Sequence, residues 1–144
     1  MYQHILLPTD GSETALRAVR QGAALAARLG ARVTVMTALE PFPAGIMASS
    51  YRPGEAPQDA PGLEAAQARL AQAEAVVCEA GLQPQSLLLR QGPVYRAILD
   101  AAQQSGADLI VMGTHGMGLM ERLFLGSQTQ RVLAHTQIPV LTLR

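Results

Sequence analysis

Short apolar runs alternate along the chain with longer stretches in which apolar residues recur at helical spacing. Apolar and β-branched runs predict strands at 4–7, 32–38, 86–90, 109–112 and 140–143. Helical spacing without a breaker predicts helices at 12–29, 63–80, 93–105 and 128–135. Because strands and helices alternate throughout, the pattern predicts a parallel sheet with helices on both faces and right-handed crossovers. We therefore expect one α/β domain over residues 1–144.

The first two predicted helices carry recognisable end signals and packing stripes. Ser12 is the expected N-cap of the first helix, and Gly30 is expected to end it. The core face of that helix is predicted from the residues at helical spacing, which are Leu16, Val19, Ala23, Ala26 and Leu29. In the second helix Leu63, Leu70 and Val77 lie seven residues apart. Since this spacing lasts only two heptads, it favours packing against the sheet over a coiled coil.

Residues 41–61 show neither the apolar runs of a strand nor the spacing of a helix. They contain five prolines together with glycines and small residues. An excursion of about twenty residues is unusually long for a compact domain, and such excursions are either functional or mobile.

The composition excludes several classes of function. The chain has 144 residues, with 11 arginines, no lysine and 11 acidic residues, so its formal charge is zero. This balance does not favour nucleic acid or an anionic membrane as a partner. The lack of lysine excludes a P-loop lysine, a Schiff base and a lysine nucleophile. Cys78, a single cysteine, cannot form an internal disulfide, and no apolar stretch is long enough to span a membrane. We expect a cytoplasmic protein.

A glycine-rich segment joins the fourth predicted strand to the fourth helix. Gly113 ends the strand, Gly116 follows, and Gly126-Ser127 opens the helix about a dozen residues later. Glycines let backbone N–H groups approach a ligand closely, and a helix N-terminus offers unpaired donors with a partial positive charge. The segment therefore suits an anion, with Ser127 capping the helix, donating its hydroxyl to a phosphate, or doing each in different states. The residues alone leave open a plain glycine-rich turn with a serine cap.

The spacing Gly113-x2-Gly116-x9-Gly126-Ser127 resembles the nucleotide-binding signature of the universal stress protein family. Three further patches, at 8–12, 107–113 and 138–141, resemble the family in the same order, so the resemblance covers nearly the whole chain. Members with the full glycine signature bind ATP. The resemblance thus implies an ATP-binding stress or signalling module, with Mg²⁺ or Mn²⁺ carried on the phosphates.

The resemblance also implies the strand order 3-2-1-4-5, which places the ligand crevice between the carboxyl ends of strands one and four. Asp10 then lies on the crevice floor as an acceptor for a ribose hydroxyl or a base edge, with capping of the first helix as the alternative. Ala38, at the end of strand two, is expected to offer its backbone to adenine. The residues that the resemblance places at the nucleotide are Pro8, Thr9, Asp10, Ala38, Met112, Gly113, Gly116, Gly126, Ser127, Gln128 and Thr129.

Some of these residues have a second interpretation. Pro8 and Met112 either wall the base or simply pack in the core. Gln128 is bulkier than the small or branched residue expected after the serine. His115 and Arg122, inside the glycine-rich segment, either approach a phosphate or remain in solvent. Asp108 begins strand four at the edge opposite the crevice, so its expected role is structural.

Two other functions remain open at this point. A slow ATPase or nucleotidyl-transfer enzyme would use the same crevice, although the sequence shows no paired carboxylates and no nucleophile–base arrangement. A flavin carrier also fits such a sheet, but an aromatic content of 3% leaves little to stack on the flavin ring.

The final strand, Val140 to Leu143, is apolar and is expected at a sheet edge, where unpaired backbone groups invite another chain. The resemblance similarly implies a homodimer paired through this strand across a two-fold axis.

Overall fold

The computed structural model describes residues 1–39, 62–90, 92–114 and 125–144, and strands and helices alternate along them. The five strands are β1 (His4–Pro8), β2 (Arg32–Ala38), β3 (Gln85–Leu89), β4 (Leu109–Gly113) and β5 (Val140–Leu143). The four helices are α1 (Glu13–Leu29), α2 (Leu63–Glu79), α3 (Val94–Ser105) and α4 (Ser127–His135).

All pairings in the sheet are parallel, and the strand order is β3-β2-β1-β4-β5. The α/β fold and the order 3-2-1-4-5 are therefore confirmed. Three strands differ from the prediction by one residue, and one of them is β4, which ends at Gly113 rather than Met112. Pro8 belongs to β1 rather than ending it, in register with Met36, and β3 begins and ends one residue earlier than expected. Pro8 is tolerated because it lies at the last position of its strand.

Alternate residues of the central strands face two separate cores. Ile5 and Leu7 pack with α1 and α2 on one face of the sheet. Leu6 packs on the other face with Met36 and residues of α3 and α4. Successive side chains point to opposite faces of the sheet, and helices cover both faces. Positions facing either side of a central strand are therefore buried, and this is why the strands are continuous apolar runs in the sequence.

Helix α1 begins as predicted, because the Ser12 side chain accepts a hydrogen bond from the backbone N–H of Ala15 at 3.2 Å. Of its predicted core residues, Val19, Ala23 and Ala26 are buried, whereas Leu16 is only partly buried and Leu29 is 43% exposed. The helix ends at Gly30, which has a positive φ of 66°, and Ala31 takes the buried position beyond it.

The stripe on α2 is confirmed as a packing stripe. Leu63, Leu70 and Val77 are all buried, and Leu70 and Val77 belong to the core on the α1 side of the sheet. Among the helices of the described chain, none combines the length and apolar character needed to cross a bilayer.

Candidate functional site

Successive strands are added on one side of β1 as far as β3 and on its other side from β4 onwards, so the strand order reverses between β1 and β4. Because β1 and β4 are parallel neighbours, their carboxyl ends lie side by side. Gly113, at the end of β4, packs directly against the first turn of α1. A Cβ atom at Gly113 would lie 3.0 Å from Thr14 Cγ2 and 3.3 Å from the Thr14 carbonyl oxygen. The end of β4 therefore meets the start of α1 at a distance that only glycine allows without displacement. In open α/β sheets such a reversal point is where ligands bind.

The turn from β1 into α1 is held by four hydrogen bonds. The Thr9 N–H donates to the Met36 carbonyl at 2.8 Å, and the Thr37 hydroxyl donates to the Thr9 carbonyl at 2.8 Å. The Gly11 N–H donates to Thr9 Oγ1 at 3.1 Å, and the Ser12 N–H donates to Asp10 Oδ1 at 2.9 Å. The end of β2 and the turn after β1 thus form one rigid unit.

Asp10 is half-buried, and it does not cap α1, because Ser12 occupies the N-cap position. Its Oδ1 atom closes a local turn onto the Ser12 N–H. Its second oxygen, Oδ2, makes no hydrogen bond within the described chain, so it remains as an acceptor at the carboxyl edge of the sheet. The capping alternative for Asp10 is therefore wrong.

The residues on the two sides of the glycine-rich segment after β4, Thr114 and Gly126, are hydrogen-bonded to each other. The Gly126 N–H donates to the Thr114 carbonyl at 2.6 Å, which closes the stem of the excursion just before α4. The intervening residues, which include Gly116, His115 and Arg122, lie outside the described residues, as do residues 40–61. The predicted roles of these residues stay predictions.

Helix α4 begins with Gly126 as its N-cap and Ser127 as its first helical residue, so Ser127 does not cap the helix here and that alternative is not the one observed. Gly126 has a φ of −59°, and no side chain caps the helix. The first intrahelical bond runs from the Gln130 N–H to the Gly126 carbonyl at 3.0 Å. The backbone N–H groups of residues 127–129 therefore have no acceptor inside the helix. Because Ser127 is exposed and does not cap, its hydroxyl stands beside these donors.

The side chains of Gln128 and Thr129 are both used within the protein. Gln128 Oε1 accepts a hydrogen bond from the Tyr95 N–H at 3.0 Å, in the first turn of α3. Pro93, the N-cap of α3, makes no side-chain cap bond, and Gln128 satisfies one of the free donors in its place. The Thr129 hydroxyl donates to the Gly113 carbonyl at 3.0 Å and ties α4 to the end of β4. Any contact of these two residues with a phosphate falls to their backbone N–H groups or, for Gln128, to its Nε2 atom.

The remaining predicted site residues line the same edge with differing exposure. Ala38 is half-buried at the end of β2, and the next residue, Leu39, donates its N–H to the Leu89 carbonyl at 2.8 Å. Pro8 and Met112 are buried, and Met112 belongs to the core on the α3 side of the sheet. Met112 thus packs in the core, and its contact with a base stays a prediction.

Two residues at this edge had no sequence signal. Thr14 contacts Gly113, and the Arg69 side chain crosses Gly11 from α2. Both contacts join segments that are far apart in the sequence, so neither shows in a local motif. Within the described part of the chain, no group of three or more His, Cys, Asp or Glu residues could hold a metal ion.

The opposite edge of the sheet holds a polar cluster around Asp108, which has the structural role expected for it. The Gln3 N–H donates to Asp108 Oδ2 at 2.9 Å, and the His4 N–H donates to Asp108 Oδ1 at 3.0 Å. Burial raises the pKa of Asp108, but hydrogen bonds from the backbone N–H groups of Gln3, His4 and Asp108 itself, together with the nearby His4 ring, leave that pKa below its ordinary value.

His4, beside Asp108, is 1% exposed, and its Nε2 atom lies 2.7 Å from Thr34 Oγ1. Burial, together with the nearby Arg32 guanidinium, lowers the pKa of His4 below its ordinary value. The Asp108 carboxylate and the Ser105 carbonyl act in the opposite direction without cancelling this shift. The roles of Asp108 and His4 are structural, because they join the amino ends of β1, β2 and β4.

Comparison with known proteins gives a consistent set of relatives. The model of the Universal stress protein family matches residues 1–144. A universal stress protein of Thermus aquaticus is 42% identical over 148 residues, with 100% of both chains covered. A universal stress protein of Methanocaldococcus jannaschii is 31% identical over 146 residues, covering 100% of this chain and 83% of the relative. Among solved structures, a universal stress protein in complex with cAMP has a TM-score of 0.73 at 26% identity and covers 99% of this chain and 97% of that one.

Proposed function

We propose that this chain, which belongs to the universal stress protein family, is an ATP-binding module with a stress or signalling role. Residues 1–144 act as one nucleotide-binding domain, and the nucleotide lies at the carboxyl ends of β1 and β4. The observation that carries the proposal is the start of α4, where three consecutive N–H groups without helical acceptors lie beside the reversal point of the sheet. A helix N-terminus of this kind is suited to a phosphate.

In the proposed site, the parts of ATP meet different segments. The phosphates meet the N–H groups of residues 127–129, the Ser127 hydroxyl, and the glycines of the excursion between Thr114 and Gly126. Mg²⁺ or Mn²⁺ binds to the phosphate oxygens, since the described chain offers no cluster of ligands of its own. Asp10 Oδ2 accepts a ribose hydroxyl, and the backbone at Ala38 reads the adenine edge.

We further propose that ATP is held rather than turned over. The donors at the start of α4 are neutral backbone groups and a hydroxyl, which stabilise the ground state as much as the transition state. Fast phosphoryl transfer needs charge stabilisation at the transferred group and an oriented nucleophile. The alternative is a slow ATPase or nucleotidyl-transfer enzyme that uses His115 or Arg122. Turnover near 1 per second in single-turnover assays with magnesium, lost in His115→Ala or Arg122→Ala with binding intact, would establish that alternative.

The structural relative that contains cAMP favours a second candidate ligand, a cyclic nucleotide. Titration calorimetry with ATP, ADP, AMP, adenosine and cAMP distinguishes the two candidates. We expect ATP to bind more tightly than cAMP, because several phosphates can use several N–H donors at once. Mass spectrometry of the small molecules released from freshly purified protein gives an independent answer.

The Gly126→Val variant tests the position of the phosphates. A β-branched side chain at Gly126 would stand at the N-cap of α4, where the N–H groups must reach phosphate. We expect ATP binding to be lost while the far-ultraviolet circular dichroism spectrum stays native. ATP binding as tight as in the parent protein would refute the phosphate site.

We also propose that two copies of the chain pair through β5. This strand is at the edge of the sheet, and Leu141 is 40% exposed. Because the Pro139 and Leu143 carbonyls accept bonds from β4, the backbone groups of Val140 and Thr142 face the open edge. An unpaired apolar edge of this kind favours pairing with a second strand.

A further inference from the structure

Arg69, on α2, lies across the turn that carries Asp10. A Cβ atom at Gly11 would be 2.7 Å from Arg69 Cγ, 3.2 Å from Cδ and 3.5 Å from Nε. Gly11 has a positive φ of 80°, so the turn needs glycine for its backbone conformation as well as for this close approach. The aliphatic stem of Arg69 therefore passes directly over Gly11, and Nε, the first atom of the guanidinium group, is still close to the turn.

The direction of this side chain follows from the course of α2. The helix connects the parallel strands β2 and β3, so it begins at the carboxyl edge of the sheet and runs towards the amino edge. Helical side chains lean towards the N-terminus of their own helix. Arg69 thus extends towards the carboxyl edge, where β1 and β4 end.

The Arg69 guanidinium has no protein partner in the part of the chain that the structure describes. The ion pair found there joins Arg17 and Glu13 on the exposed side of α1, and Asp10 gives its Oδ1 atom to the Ser12 N–H. Arg69 is half-buried, and a guanidinium is always charged and carries five N–H donors. The stem that covers Gly11 accounts for this partial burial, and among the described residues the charged end of the side chain is left without a carboxylate.

We propose that Arg69 is a phosphate-binding residue of the nucleotide site and gives that site its preference for highly charged nucleotides. This inference rests on the proposed function. The chain contains no lysine, and the donors described at the start of α4 are neutral. Arg69 adds a positive charge from the α2 side of the crevice, and a guanidinium can hold two phosphate oxygens at once.

The test compares a ligand series with a variant series by titration calorimetry. The ligands are adenosine, AMP, ADP and ATP with Mg²⁺. The variants are Arg69→Met, which keeps most of the stem that covers Gly11 but removes the charge, Arg69→Gln as a second neutral variant, and Arg69→Lys, which restores the charge. Arg28→Met, at an exposed arginine in the last turn of α1, is the matched control.

We expect Arg69→Met and Arg69→Gln to weaken ATP binding by about tenfold or more, which is typical of a lost hydrogen bond to a charged group. Adenosine binding should change less than about twofold on that scale, and Arg69→Lys should recover part of the ATP affinity. The effect of each neutral variant should shrink at high salt, as expected for a charge interaction. Arg28→Met should match the parent protein with every ligand.

Each other pattern overturns the inference in a distinct way. An equal loss for adenosine and ATP would show that Arg69 acts only by packing on Gly11. Unchanged affinity for all four ligands would show that it takes no part in the site. If the parent protein binds none of the ligands, the proposed function itself is wrong and this inference falls with it. Urea unfolding of each variant separates a loss of binding from a loss of folded protein.

Discussion

Replacement of Gly113 by alanine tests how closely β4 and α1 must approach at the candidate site. The new Cβ would lie 3.0 Å from Thr14 Cγ2, 3.3 Å from the Thr14 carbonyl oxygen and 3.4 Å from its carbonyl carbon. The methyl group of Thr14 can rotate away, but the two backbone atoms cannot. The end of β4 or the first turn of α1 must therefore shift.

Overpacking of this kind costs about 1–3 kcal/mol in the free energy of unfolding. A loss of about 2 kcal/mol lowers the urea midpoint by about 1 M for a protein with an m-value near 2 kcal/mol/M. We expect Gly113→Ala to show this decrease in urea unfolding followed by circular dichroism. Since the backbone that shifts leads into the phosphate site, ATP affinity should fall as well.

Two further variants make the reasoning refutable. Gly126→Ala adds the same methyl group at a glycine whose φ of −59° suits any residue, so it should lose only the smaller amount expected when alanine replaces a glycine N-cap. Thr14→Ser removes Cγ2 and relieves the shortest of the three contacts, so Gly113→Ala combined with Thr14→Ser should recover part of the lost stability. Gly113→Ala with the parent midpoint, or a double variant no better than the sum of its parts, would refute the argument.

Three other expectations follow from separate parts of the structure. Gln128→Ala removes the acceptor for the Tyr95 N–H and should lower the free energy of unfolding by about 1 kcal/mol in urea titrations. Gln128→Glu keeps an acceptor oxygen and should retain most of the parent stability. An alanine variant as stable as the parent protein would mean that water replaces the cap. Thr142→Pro removes a backbone donor that faces the open edge of β5 and should give monomers in sedimentation. Thr142→Val keeps this donor and is the control that should stay dimeric. A parent protein that is monomeric at micromolar concentration would contradict the proposed dimer. The pKa of His4 is lowered in the folded protein, so below about pH 6.5 the unfolded chain binds more protons than the folded one. The free energy of unfolding should therefore decrease as the pH is lowered from about 6.5 towards the pKa of His4 in the folded protein, by up to about 1.4 kcal/mol per pH unit. Urea midpoints at several pH values should show less of this decrease in His4→Gln, and an identical decrease in both proteins would assign it to other groups.

The fold could be predicted from the sequence because its signals are local. Apolar runs fix the strands, Ser12 and Gly30 fix the ends of α1, and alternation fixes the class of sheet. The strand order came from the family resemblance and is confirmed. The error at Leu29 has a local cause too, since the buried position passes to Ala31 once the helix has ended.

The candidate site was less predictable because its contacts are tertiary. The motif located Gly126 and Ser127 correctly in the chain, but it could not show that Gly126 takes the N-cap position. The partner of Gln128 is on α3, and the partner of Gly113 is on α1. A single sequence carries no signal for such pairs, since each residue is chemically ordinary where it stands. The unusual size of Gln128 was visible, but its reason required the position of Tyr95.

The central strand of the sheet is also the first strand in the chain, and this orders folding in time. β1 pairs with β2 along one side, while its other side pairs with β4, and Asp108 fixes the Gln3 and His4 N–H groups across 105 and 104 residues of sequence. A chain made from its N-terminus can join β1 to β2 and β3 early during synthesis. The other side of β1 stays unpaired until β4 has been made. A chain that stalls between β3 and β4 therefore exposes an apolar strand edge in the middle of its future sheet, and such an edge is the kind that aggregates.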